Sequence, residues 1–186
     1  MTKITVTEAL AELNTINKRL EKKRTFVLNY IGRTAALRDP LEKSGGSAKA
    51  ITEERQAIHD LEERLIAIRR AIAESNARTI VSVKGRSNTV ADWLVWRREI
   101  APGQADFLAK VSGTILRIRE DARRRGVSVV GVAVATAGVE AKPEDSIMNV
   151  DELALSQESE TLEETLGILD GQLSLSNATI LVEIKD

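Results

Sequence analysis

The sequence contains no cysteine. That excludes disulfides, thiolate nucleophiles and cysteine-ligated zinc, and it leaves the redox compartment open. Histidine occurs once, as His59 beside the apolar position Ile58. Any metal site would have to rest on carboxylates, and the imidazole reads as a solvated helix residue. Aromatic residues make up only 3% of the chain, so a core must come from Leu, Ile, Val and Ala. No apolar run reaches the roughly 18 residues that span a bilayer. The opening MTKITVTEAL lacks the apolar stretch of a secretory signal. The expected location is the cytoplasm, or a virion if the chain is phage-encoded. There is no GxxxxGK loop, the glycines at 126, 131 and 138 are wrongly spaced for a dinucleotide fingerprint, and no serine sits on a strand-to-helix elbow. Neighbouring acids such as Glu163 and Glu164 point apart on a helix and read as a solvated face. The reading is of a non-enzyme with no cofactor, metal or small-molecule substrate.

What the chain does have is helical periodicity. Thr5 followed by Glu8 fits a capping box, and a seam then runs Val6, Leu10, Leu13, Asn17, Leu20, Arg24, Val27, Ile31. Asn17 and Arg24 interrupt that seam, and polar seam residues fix register. Breakers between Gly32 and Ser47 precede a second seam at Ile51, Glu54, Ile58, Leu61, Leu65, Ile68 and Ile72, which predicts an antiparallel helical hairpin over residues 1–78. TIVSV at 79–83 predicts a strand. Asn88 or Thr89 caps a following helix, Ala101-Pro102-Gly103 marks a kink or brief break, and Leu108, Val111, Ile115, Ile118 and Ala122 form a third seam ending at Gly126. Residues 127–139 predict one or two strands with a bulge or bend at Gly131, and Ile147–Val150 another. Asp151 caps a last helix with its seam at Leu155, Ser159, Leu162, Leu166, Leu169 and Leu173, and TILVEI at 179–184 closes as a strand. The fold class is mainly α: long antiparallel helices in a bundle or coiled-coil hairpin, with a small β-sheet of short strands. Residues 79–186 are expected to pack with the hairpin as one domain.

Two segments resemble the septicolysin-like family of bacterial proteins. NVDELALSQESETLEETLGILDGQLSLSNATILVEI, residues 149–184, is similar to its C-terminal part through Val150-Asp151, Leu169-Asp170, Asn177 and the final strand. ESNARTIVSVKGRSNTVADWLVWRREI, residues 74–100, resembles its middle through Asn76, Thr79, Gly85 and Arg97-Arg98-Glu99. The resemblance implies an oligomeric α-helical bundle with no established catalytic residues. Residues 127–139 are richer in glycine and alanine than that pattern. The thiol-activated cytolysis suggested by the family name does not carry over to a chain without cysteine or a membrane-insertion stretch.

The charge is split. Residues 1–126 hold 25 Lys and Arg against 16 Asp and Glu, a net of +9, and residues 127–186 hold 2 against 12, a net of −10. Basic clusters lie at 18–24 and 117–125, the second as RIREDARRRG at 117–126. Nucleic-acid binding would use both. Against it, Glu120 and Asp121 are interleaved, and Arg123, Arg124 and Arg125 complement the dipole of a helix end. The preferred reading is that basic helix ends face an acidic helix, in this chain or a copy. The candidate interface residues are therefore Asn17, Arg24, Trp93, Trp96, Arg117, Arg123, Arg124, Arg125, Glu160, Glu163 and Glu164. Trp93 and Trp96 share a face with Ile100, by helical spacing, and read first as core. The expected function is structural: a homo-oligomer assembled through helix seams and short β segments, possible as a subunit of a larger particle such as a phage virion. A nucleic-acid-binding module is the alternative.

Overall fold

The computed structural model describes residues 2–131 and 142–184. The chain is mainly helical with minor β structure. Its elements in order are β1 (Thr2–Thr5), α1 (Val6–Tyr30), α2 (Ser47–Arg78), β2 (Ile80–Val83), β3 (Arg86–Thr89), α3 (Val90–Val95), α4 (Ala101–Arg125), β4 (Val129–Gly131), β5 (Ser146–Met148), α5 (Glu152–Thr179) and β6 (Leu181–Ile184). Two compact units result, Met1–Thr79 with Leu173–Asp186, and Ile80–Gln172. The hairpin is thus joined by residues from the far end of the chain. Among the described residues the β content is divided among three two-stranded sheets, β1–β6 and β2–β3 antiparallel, β4–β5 parallel.

In the first unit β1 runs into α1 without a loop. The Thr5 hydroxyl accepts the Glu8 backbone N–H at 3.2 Å, and the Glu8 carboxylate accepts the Thr5 N–H at 2.8 Å. This is the capping box expected from the sequence, and these bonds hold the Glu8 carboxyl below its ordinary range. α2 returns antiparallel to α1, with Lys23 on Glu54 at 2.8 Å and Arg64 on Glu12 at 2.9 Å. β6 pairs with β1 from Thr2↔Ile184 to Thr5↔Leu181. Lys3 and Glu183 meet across that ladder at 2.7 Å, and their hydrogen bond raises the lysine pKa and lowers that of the glutamate. Val182 and Ile184 face inward, while Leu181 and Glu183 face out. The core they cover contains Val6, Ala9, Leu13, Ile16 and Leu20 of α1 and Ile68 of α2. Each large aliphatic side chain buried there contributes roughly 1.5–3 kcal/mol.

The α2 seam lies where its spacing places it, but the α1 seam does not. Val6, Leu13 and Leu20 are buried as expected, whereas Leu10, Asn17, Arg24 and Ile31 are exposed and the alternate positions are Ala9 and Ile16. A stripe stepping four-three and one stepping three-four share every seventh residue, so periodicity alone does not separate them. The burial decides it: Ala9 is fully buried in the cluster that also holds Val182 and Ile184, while Leu10 is largely exposed. Asn17 and Arg24 are therefore not seam residues.

In the second unit the strand at 79–83 is half of a hairpin whose second strand, β3, was not expected. Lys84 and Gly85 both take positive φ, +49° and +78°, the conformation of a tight two-residue turn. Thr89 caps α3, accepting the Asp92 N–H at 3.1 Å. Where a kink or brief break was expected at Ala101-Pro102-Gly103, there is no break: a π turn, Trp96–Ile100, joins α3 to α4. Pro102 has no N–H to offer the carbonyl of Arg98 and its ring would crowd it. The inserted residue relieves this, and the Ala101 N–H bonds to the Trp96 carbonyl. The insertion also rotates the face, so Ala101 is buried and Ile100 is exposed. Ile100 accordingly does not continue the face of Trp93. α4 ends at Gly126 with φ +69°, and Asp151 caps α5 through the N–H groups of Leu153 and Ala154. Gly131 is a paired strand residue opposite Met148. The remainder of the expected 127–139 strand segment, from residue 132, lies outside the described residues.

The turn between α1 and α2 depends on one carboxylate. Gly45 and Gly46 take positive φ, and Gly46 at the N-cap of α2 has no side chain with which to cap it. Asp39 does so instead, accepting the Ser47 hydroxyl at 2.6 Å, the Ser47 N–H at 2.9 Å and the Leu41 N–H at 2.8 Å. These bonds, the Ser47 hydroxyl first, hold its pKa at about 2. The folded value lies below the unfolded one, so the stabilisation is present above the ordinary carboxylate range and is lost as pH falls through about 2. Thermal melts of the wild type and Asp39→Asn are expected to differ at pH 6 and to converge as pH drops from 4 to 2. A gap that stays constant over that range would show that the carboxylate charge does not hold the turn.

Candidate functional site

The second unit contains a groove of about 870 Å³. One end is the β2–β3 hairpin, which brings Val83, Lys84 and Arg86 to it. α4 supplies Gln104, Phe107 and Leu108, and α5 supplies a wall that includes Gln157, Glu158, Thr161 and Leu162. Its floor joins a small core of Ala101, Leu108 and Leu162, against which Trp96, Leu155 and Leu166 pack.

The tryptophan pair sets this geometry. Trp93 is buried and donates its indole N–H to the Val81 carbonyl at 2.9 Å, which latches α3 to β2. Trp96 meets it edge-to-face, with centroids 5.6 Å apart, and turns its remaining surface to the groove. One tryptophan is thus core and the other is wall.

Charge in this unit is largely paired within it, Lys84 at the groove and the other pairs elsewhere. Lys84 bonds Glu164, Arg97 bonds Asp170 at 2.8 Å, and Arg119 at the basic end of α4 bonds Glu152 at the start of α5 at 2.6 Å. Each is solvent-facing and contributes only about 0–1 kcal/mol. Arg86 and Glu158 differ: both line the groove, and neither has an ion-pair partner among the described residues.

The residues singled out from sequence do not converge on one site. Asn17 and Arg24 lie on α1, where Arg24 bonds Glu62 of α2 at 2.6 Å. Arg117 donates to the Thr114 hydroxyl at 3.3 Å. Arg124 sits 3.9 Å from Asp121, and Arg125 donates to Ser146 at 2.8 Å. Arg123, Glu160 and Glu163 are exposed, and Glu164 reaches the groove end through Lys84. Arg86 and Phe107 were missed, and Glu158, with Glu160, read only as part of a solvated acidic face. The available signal was Phe107, an aromatic residue one position off the α4 seam at Leu108. Among the described residues no cluster of three or more His, Asp or Glu could hold a metal ion, and no helix is long and apolar enough to cross a membrane.

Comparison with protein-family profiles, curated proteins and solved structures finds no match to this chain. None therefore bears on the septicolysin-like resemblance.

Trp93→Phe removes the indole N–H and part of the buried ring, so the Val81 carbonyl loses its side-chain bond and keeps only its place in the β2–β3 ladder. The expected loss is about 1–3 kcal/mol in urea unfolding, with Trp96 fluorescence shifting as the wall loosens. A loss below about 0.5 kcal/mol, the range of ordinary surface substitutions, would show that the latch is not structural.

Proposed function

We propose that this chain is a non-enzymatic assembly protein that forms a homo-oligomer through the apolar stripes of its helices. The observation that carries the reading is the uneven burial of the α2 seam. Ile68, in the cluster that holds the β6 side chains Val182 and Ile184, is fully buried. Ile51, Ile58, Leu61, Leu65 and Ile72, on the same stripe, are only half-buried. Leu28 and Ile66 on the same two helices are more than half exposed, at 68% and 54%. A pair of helices has no second layer of its own, and stable domains bury such stripes against another layer. A second hairpin would supply it, giving the four-helix arrangement in which narrow stripes become a core. The resemblance to the septicolysin-like family points the same way. A place within a larger particle, such as a virion, is the corresponding biological role.

Nucleic-acid binding through residues 18–24 and 117–125 is less well supported. Lys23, Arg24, Arg119 and Arg124 already have acidic neighbours within the chain, which leaves fewer cations for phosphates.

Light scattering after size exclusion, at low and high salt, tests the assignment. A discrete oligomer is expected. Leu28→Glu or Ile66→Glu should shift it toward monomer while changing the monomer's stability by no more than about 0.5 kcal/mol, as for exposed positions. A wild-type monomer at every concentration and salt would overturn the proposal, and steeply salt-dependent binding of labelled DNA would put the nucleic-acid reading in its place.

A further inference from the structure

The groove of the second unit has an unusual charge inventory. Its lining carries Lys84, held by Glu164, and two charged groups without an ion-pair partner among the described residues, the cation Arg86 and the anion Glu158. Its floor is apolar, made by Trp96, Leu108 and Leu162. Beside that floor stands Phe107, 64% exposed although it is one of the chain's few aromatic residues. The groove therefore contains a hollow, an aromatic knob and two opposite charges on one patch.

Possible occupants make different demands on that patch. Nucleic acid would ask for cations alone, and Glu158 would repel it. An amphipathic anion would be drawn to Arg86 but would also meet Glu158, which lines the same groove. A second copy of this chain, related by a two-fold axis, meets both charges at once. In a two-fold contact the same patch faces itself, so that residue i of one copy meets residue j of the other and the reverse. Arg86 would then face Glu158 of the other copy twice over, and each Phe107 would enter the hollow opposite. Aromatic side chains seated in desolvated pockets are the usual anchors of such contacts.

We infer that the groove is a self-complementary docking surface for a second copy of this chain, with Arg86 and Glu158 as the reciprocal charge pair and Phe107 as the anchor. The inference rests on the assembly reading above and adds to it a contact surface separate from the hairpin stripe.

The test uses the full-length chain and two charge reversals. Arg86→Glu alone places two like-charged pairs across the contact, and so does Glu158→Arg alone. Each is expected to weaken self-association at least about tenfold at low salt and to lower the mass measured by light scattering relative to wild type. Mixed in equal amounts, the two variants restore both opposite-charge pairs, and a mixed species of wild-type mass is expected. Neither substitution touches a buried side chain, and recovery on mixing shows that both variants are folded. Phe107→Asp should weaken association without rescue by either partner. If both charge variants keep the wild-type mass, or if the mixture does not regain it, the groove is not the contact, and an intact wild-type oligomer would then leave the hairpin proposal standing. A monomeric wild type would overturn both.

Discussion

A pair of packed α-helices shields only the residues that lie between them, and the first unit is organised around that limit. α1 and α2 meet along one narrow stripe, and a stripe two helices wide leaves each seam side chain open on its flank. The strand pair β1–β6 covers the flank at one end. There, Val182 and Ile184 join one core cluster with Ile68 and the α1 residues from Val6 to Leu20. Farther along, Ile51 and Ile58 of α2 are only half-buried. The same limit reappears in the second unit, where the core between α4 and α5 is small and the space beside it is a groove. Both proposals concern what covers apolar surface that the chain does not cover for itself.

Polar contacts in this protein direct the backbone more than they stabilise it. Three carboxylates illustrate this. Glu8 closes the entry of α1, Asp39 closes the turn before α2 from eight residues away, and Asp151 opens α5. Each satisfies amide groups that a helix start leaves without partners. The many solvent-facing ion pairs add little individually, and one of them occupies Lys84 at the groove. Against that background Arg86 and Glu158 stand out.

The structure also shows where sequence patterns run out. The α2, α4 and α5 seams were legible because their apolar residues recur at helical spacing without competition. The α1 seam was ambiguous because Leu10 is larger than Ala9 and invited the wrong stripe. Hydrophobicity ranks Leu first, but the packing of α1 in the first unit buries Ala9 and leaves Leu10 exposed. Both tryptophans read as core and Trp93 is, but its bond to Val81 and the place of Trp96 in the groove wall depend on neighbouring elements that helical spacing does not describe. Arg86, Phe107 and Glu158 carried no shared motif. They lie on a hairpin, on α4 and on α5, and only the packing of those elements gathers them.

By itself the sequence determined the local conformations. Helices and their caps, the turn at Gly85 and the αL stop at Gly126 follow from side-chain volume, backbone freedom and hydrogen bonds within a few residues. Tertiary structure alone decided which of two equivalent stripes of α1 is buried, that β6 returns to pair with β1, and which residues line the groove. Those outcomes depend on contacts between residues far apart in sequence, where excluded volume and the fit of one surface against another select among patterns that local physics leaves equal.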